Sequence, residues 1–317
     1  MIEILIQVFF LVLGFVMLIK GADWFVEGAS KIADRFGIPQ LVIGLTIVAM
    51  GTSAPEAAVS ITSALKGNAD ITIGNVLGSN ILNVFIILGL TAVVRTIAVQ
   101  DSTIKYELPF VIAISAIMAG LGLNGNEITR LGGVILWALF IVYMVYLLMM
   151  AKKGQGANLD VEDAKGNGKS DSLLKLIFLA VIGVVLIVWG SDVTVDAASA
   201  LATMWGMSER LIGLTIVALG TSLPELVTSV TAAIKGKADI AVGNIVGSNI
   251  FNILFVVGTT ALITPVAYQA SFLVDSIVTI AAVVLLWVCV LRKKQLNRVA
   301  GIIMVICYAG YFVYLIQ

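Results

Sequence analysis

The sequence predicts an all-α polytopic membrane protein of ten transmembrane helices, folded as two inverted five-helix repeats with broken helices at the midplane. Three observations carry this expectation. Of 317 residues, 60% are hydrophobic and 12% charged, with a mean hydropathy of +1.09, which is too apolar for a soluble domain of this size. A polar motif inside an apolar run, Ala49 to Glu56 (AMGTSAPE), returns 169 residues later as Ala218 to Glu225 (ALGTSLPE). A single stretch, Ala151 to Ser172, is polar without an apolar run, and it divides the chain in two.

Taken in order, the apolar runs place the spans. A bilayer core needs about 20 apolar residues per helix, which centres spans near residues 14, 53, 83, 113, 139, 181, 222, 252, 281 and 307. The run from Ile4 to Ile19 follows Glu3 rather than a basic start and precedes no small-residue cleavage site, so it reads as a membrane helix and not a signal peptide. The first repeat then covers residues 1–150 with its motif at 43–83, the linker is 151–172, and the second repeat covers 173–317 with its motif at 212–252. Loops on the linker side would hold 16 of the 19 Lys and Arg residues, leaving Lys66, Arg130 and Arg210 opposite. That bias makes the linker cytoplasmic and both termini external, in a cell (inner) membrane.

The internal repeat is the strongest signal. Residues 43–83 and 212–252 share 27 identities in 41 positions without a gap, and Gly21-Ala22-Asp23 corresponds to Gly190-Ser191-Asp192 at the same offset. Because five spans separate equivalent helices, the second copy must cross the membrane in the opposite direction. Inverted repeats with interrupted helices are the pattern of secondary transporters.

Pro55 and Pro224 should each open their helix, leaving carbonyls near Ala49 and Ala218 without intrahelical partners. Glu56 and Glu225 are the only acids near the middle of a span, where an isolated charge costs at least about 2.5–3.5 kcal/mol. No Lys or Arg lies at matching depth, so a bound cation is the simplest partner. Thr52, Ser53, Thr221 and Ser222 precede the two Pro-Glu pairs and are candidate ligands, although membrane hydroxyls also bond their own backbone. Hard oxygen donors of this kind suit calcium, sodium or magnesium and poorly suit zinc or copper. In the third and eighth spans, Gly74/Gly78 and Gly243/Gly247 predict close helix packing, which would present Ser79 with Asn83, and Ser248 with Asn252, to the broken helices. Asp23, Glu27, Asp192 and Asp196 read as a solvated interfacial face, with an ion-funnelling entrance as the alternative, and Glu107 and Asp275 as interfacial. Cys289 and Cys307 read as buried free thiols. Zero formal charge and the absence of histidine give no support to a nucleic-acid partner or to a histidine-based metal or acid–base site; no cofactor is expected, and no obligatory protein partner is evident beyond the lipid bilayer and the transported cations.

The paired GTSAPE and GTSLPE motifs, each followed by GNxxGSNxxN, resemble those of prokaryotic sodium/calcium exchangers in the cation/calcium antiporter superfamily. The motif match covers residues 43–83 and 212–252. The resemblance implies a secondary active antiporter, not an enzyme, in which Glu56 and Glu225 bind calcium and sodium alternately. It implies Thr52, Ser53, Thr221, Ser222, Ser79, Ser248 and the carbonyls of Ala49 and Ala218 as further ligands. It also implies that the long first and sixth helices, around residues 5–35 and 174–204, slide across the remaining helices to alternate access. Two departures stand out: the linker cannot house calcium-sensing domains like those of animal exchangers, and Asn83 and Asn252 stand at both positions where some members carry one Asp, leaving two carboxylates. A calcium/proton antiporter is the alternative, against which stands the absence of that branch's GNxxE-type motif. A channel would not need two inverted broken-helix repeats, and an intramembrane hydrolase would need a nucleophile–base pair or metal ligands that are not found.

Overall fold

Long runs of Leu, Ile, Val and Phe become helices here because in lipid a helix pairs nearly all of its backbone amides within one segment. The computed structural model describes residues 2–66, 69, 71–158, 172–206 and 218–316. In the first half, α1 (Ile2–Phe36), α2 (Gln40–Thr52), α3 (Ala54–Leu65), α4 (Ile71–Val94), α5 (Thr103–Leu123) and α6 (Arg130–Asn158) follow one another. The second half continues with α7 (Leu173–Met204), a short turn of helix at Ala218–Gly220, α8 (Leu223–Ile234), α9 (Ala238–Ile263), α10 (Phe272–Leu291) and α11 (Arg298–Ile316).

The chain is a nearly all-helical, multi-pass membrane protein. Among the described residues eight helices are long and apolar enough to cross a bilayer, and α2 with α3, bent by 50° at their junction, make a ninth. The expected tenth span is represented by the 12-residue α8, and residues 207–217 before it, including the copy of Ile43–Val48, lie outside the described residues. The helix α6 runs to Asn158, into the stretch read as linker, whose residues 159–171 are likewise outside them.

The two longest helices pack on each other in opposite directions. Gly14, Gly21 and Gly28 of α1 meet Gly190, Gly183 and Ala180 of α7 in turn. Their spacing of seven residues keeps them on one face, and only glycine admits the approach: a Cβ on Gly183 would lie 2.6 Å from the Phe25 amide nitrogen. At 35 residues α1 is about 52 Å long, well beyond a bilayer core of about 30 Å.

The most deeply buried spans are α4 and α9, at the centre. The expected small-residue packing is present in α9, where a Cβ on Gly247 would meet the Leu45 carbonyl at 2.7 Å and one on Gly243 the Leu41 carbonyl at 2.9 Å, but it fails in α4: among the described residues nothing lies within 4 Å of a Cβ on Gly78, and one on Gly74 would meet only the Phe272 ring, at 3.6 Å. Both central helices switch to π-helical winding at matching points, Asn83–Leu88 and Asn252–Val257. Such turns are often found at functional positions.

Four two-residue strands tie the halves together at their turns. Ile97–Ala98 (β1) pairs antiparallel with Gln295–Leu296 (β4), and Glu127–Ile128 (β2) with Val266–Ala267 (β3). Outside this core, Cys289 is half-buried and Cys307 exposed, both free. The expectation of two buried thiols therefore fails for Cys307, which sits on an outward apolar face of α11 beside Ile303 and Ile306.

Candidate cation site

Proline sets both breaks. The helix α2 ends at Thr52, Ser53 leaves helical geometry (φ −84°, ψ 8°), and α3 restarts at Ala54 with Pro55 in its first turn. In the second half Ser222 has nearly the same conformation (φ −94°, ψ 2°), and α8 restarts at Leu223 with Pro224. Lacking an N–H, each proline leaves without its helical donor the carbonyl four residues back, at Gly51 and Gly220. The Gly220 carbonyl accepts a 2.6 Å bond from Ser191 of α7. Near Ala49 the carbonyl left without its helical donor is that of Gly51; the Ala49 carbonyl keeps the Ser53 N–H at 3.0 Å. Ala218 heads the short turn before the second break, and its side chain is not described.

The restarted helices carry Glu56 and Glu225 in their first turns, where the N-terminal dipole favours negative charge. Each glutamate is 1% exposed, and the two lie within electrostatic reach of each other. Among the described residues no Lys or Arg forms an ion pair with either; the ion pairs lie elsewhere, as in Lys235–Asp23 and Lys294–Asp101.

Residues of the two motifs bond across the centre. Ser53 Oγ donates to Glu225 Oε1 at 2.7 Å, Thr52 Oγ1 to Asn244 Oδ1 at 2.9 Å, and Ser248 Oγ stands 3.5 Å from the Ala49 carbonyl. Ser79 is buried and Thr221 half-buried, and among the described residues neither side chain makes a hydrogen bond to the others. Ser222 Oγ is buried without a partner.

Asn83 and Asn252 each donate through Nδ2, to Asn249 Oδ1 at 2.9 Å and to Asn80 Oδ1 at 3.2 Å. Asn80 and Asn249 in turn donate to each other's backbone carbonyls at 3.3 and 3.4 Å. This closed set of four amides uses every amide nitrogen and fixes both Asn83 and Asn252 with Oδ1 left over. Five buried oxygens of the expected ligands are therefore without a hydrogen-bond partner: Glu56 Oε2, Glu225 Oε2, Asn83 Oδ1, Asn252 Oδ1 and Ser222 Oγ. Buried polar atoms are rarely left unpaired. A cluster of carboxylate, amide and hydroxyl oxygens is a donor set for a hard cation. Among the described residues no group of three or more His, Cys, Asp or Glu side chains gathers as a transition-metal site would need.

The profile of the family described as "Sodium/calcium exchanger protein" matches residues 6–149 and 175–317. The chain belongs to the sodium/calcium exchanger family. It is 32% identical to the sodium/calcium exchanger MaX1 of Methanosarcina acetivorans, over 96% of this chain and 97% of that protein. It is 37% identical to the inner membrane protein YrbG of Escherichia coli, over 96% and 94%. A solved structure of the sodium-calcium exchanger NCX_Mj superposes with a TM-score of 0.84 at 30% identity, covering 98% of this chain and 99% of that one.

In this chain the residues that sequence reasoning passed over are those that hold the candidate ligands. Asn75 donates to Ser60 Oγ at 2.9 Å and to the Glu56 carbonyl at 3.3 Å; Asn244 repeats both bonds, to Ser229 Oγ at 2.9 Å and to the Glu225 carbonyl at 3.4 Å. Asn80 and Asn249 clamp the central helices. The signal was available: all of these polar residues are identical at the offset of 169 within apolar runs.

Proposed function

We propose that the exchanger is a secondary active antiporter of the inner cell membrane that moves calcium against sodium by alternating access. The ligand set would be Glu56, Glu225, Thr52, Ser53, Thr221, Ser222, Ser79, Ser248, Asn83, Asn252 and the carbonyls of Ala49 and Ala218. The observation that carries this reading is the set of five unpartnered buried oxygens drawn from those residues, around two carboxylates without a basic partner. One calcium or two sodium ions would neutralise two ionised glutamates, so the two cargoes compete for the same charge. The family match and the likeness to MaX1 and NCX_Mj support sodium rather than protons as the driving ion.

Ten spans in two inverted repeats, residues 1–150 and 173–317 joined by a cytoplasmic linker at 151–172, are the architecture proposed for this transport. The opposite running of α1 and α7, whose Gly21 and Gly190 correspond in sequence, supports the inversion. So does the recurrence of the Asn75–Ser60 bond as Asn244–Ser229. Alternating access would come from α1 and α7 moving together, since their glycine contacts bind them into one unit. Reconstituted vesicles test the reading. Labelled calcium trapped inside should leave when sodium is supplied outside, at fixed pH; efflux driven by a proton gradient alone, and indifferent to sodium, would overturn it.

A further inference from the structure

Four charges that the cation site leaves unused stand at corresponding places in the two halves. Lys66 occupies the C-terminal cap of α3 and Lys235 that of α8, each closing a helix that restarts after a proline break. Asp23 of α1 and Asp192 of α7 each lie two residues beyond a glycine of the seam between those helices, Gly21 and Gly190. The offset of 169 relates Asp23 to Asp192 and Lys66 to Lys235.

The two acid–base pairs are in opposite states. Lys235 Nζ binds the Asp23 carboxyl at 2.7 Å and donates to the Asp23 carbonyl at 2.8 Å. Lys237 adds a longer contact, 4.0 Å, to Asp34 further along α1. Asp192 and Lys66 are both exposed, and among the described residues neither forms an ion pair. Asp192 lies instead within electrostatic reach of Asp196, a like charge one helical turn on. The packing agrees with the charges: α1 lies along α8, and α7 has no comparable contact with α3.

In an inverted repeat, each half can take the conformation of the other, so a contact between the halves has a counterpart in the opposite-facing state. The counterpart of Asp23–Lys235 is Asp192–Lys66, because both pairs join one half to the other and exchanging the halves maps the first onto the second. We propose, on the inverted alternating-access reading above, that the two pairs are the two positions of one reciprocating latch. In the conformation seen here Asp23 holds Lys235; in the opposite one that pair parts and Asp192 takes Lys66.

Exposed ion pairs suit this task because they are weak. Each shifts an equilibrium by about two- to fivefold, enough to bias two states and too little to trap either. The latch is also unequal. At the offset of 169 the counterparts of Lys237 and Asp34 are Asn68 and Thr203, which carry no charge. The conformation seen here therefore has one tie more than its opposite, and these contacts favour it.

Cross-linking of the purified protein, with Cys289 and Cys307 replaced, tests the latch without relying on transport. Asp23→Cys with Lys235→Cys should join rapidly under a short bismaleimide, and Asp192→Cys with Lys66→Cys more slowly, since only the opposite conformation brings that pair together. In a chain carrying all four cysteines, completing the join at 23 and 235 should block the join at 66 and 192, as read by peptide mass spectrometry. Failure of positions 66 and 192 to join with either sodium or calcium present, or their joining in a chain already closed at 23 and 235, would overturn the latch. If the cysteine variants do not fold, charge reversal decides: Lys66→Glu should slow sodium-driven calcium exchange by about two- to fivefold, and adding Asp192→Lys should restore the rate. No restoration would count against the pair. A protein whose two pairs join in alternation but which moves no calcium keeps the latch and loses the proposed cargo; one that exchanges calcium for sodium while positions 66 and 192 never meet keeps the cargo and loses the latch.

Discussion

Ser53 Oγ donates to Glu225 Oε1 at 2.7 Å, whereas Ser222 and Glu56, the pair related to them by the offset of 169, share no bond; Ser222 Oγ and Glu56 Oε2 are both buried without partners. Thr52 likewise reaches Asn244, while among the described residues Asn75 bonds only to Ser60 and the Glu56 carbonyl. Among those residues one side of the centre is laced across the halves and the other is not. A hydrogen bond to a charged group contributes about 1.5–3 kcal/mol, so Ser53→Ala should lower the thermal stability of the ion-free protein, and Ser222→Ala should leave it nearly unchanged. Equal melting temperatures for the two variants would contradict this asymmetry.

Glu56→Gln and Glu225→Gln keep shape and each remove one charge from a centre that has only two. Both variants should insert and fold yet lose calcium flux in vesicles. Near-normal flux in either would remove that glutamate from the proposed site.

Asn80 and Asn249 hold Asn252 and Asn83 by their amides but are not themselves proposed as ligands. Replacing either by Ala should weaken apparent cation affinity by about 10–100-fold, the usual cost of losing a group that orients a metal ligand. Calcium titration of sodium-driven exchange measures it. Affinity equal to wild type would show that the closed amide set does not orient the carbonyls.

Lys235 at the end of α8 binds Asp23 of α1 twice, at 2.7 Å to the carboxyl and 2.8 Å to the carbonyl. If α1 and α7 move as a unit, a covalent tie here must stop exchange. Asp23→Cys with Lys235→Cys, in a background where Cys289 and Cys307 are replaced, should lose transport on treatment with a short bismaleimide. Full turnover in the cross-linked protein would rule out sliding at this contact.

Sidedness follows from the 16-to-3 division of basic residues. Lys66 and Lys153 are both exposed. Cysteines placed singly at these positions should react with an impermeant thiol reagent from the outside for Lys66→Cys and only after permeabilisation for Lys153→Cys. The reverse pattern would invert the orientation.

The parts of this fold legible in the sequence are those where lipid punishes exceptions. Pro55, Pro224, Glu56 and Glu225 stand out because irregular backbone and charge are costly in an apolar run, and both breaks fall where those residues predict. The free carbonyl expected near Ala49 falls at Gly51, while that of Ala49 keeps the Ser53 N–H, because proline removes a donor from the residue four back and no other. The burial of Glu107 was not legible because it depends on Tyr146 of α6 bonding to it, a contact between residues 39 apart. The glycine seam between α1 and α7 escaped notice because glycines seven apart are unremarkable until the partner helix is known.

The strand pairs carry a consequence for biosynthesis. Residues 97–98 and 127–128 find their partners only at 295–296 and 266–267, and Asn80 and Asn83 find theirs at 249 and 252. When the first half has been inserted, its turns and its central amides are still waiting for segments the ribosome has yet to make. Maturation is therefore a late, whole-chain event, and the newly inserted first half is the species most exposed to quality-control proteases.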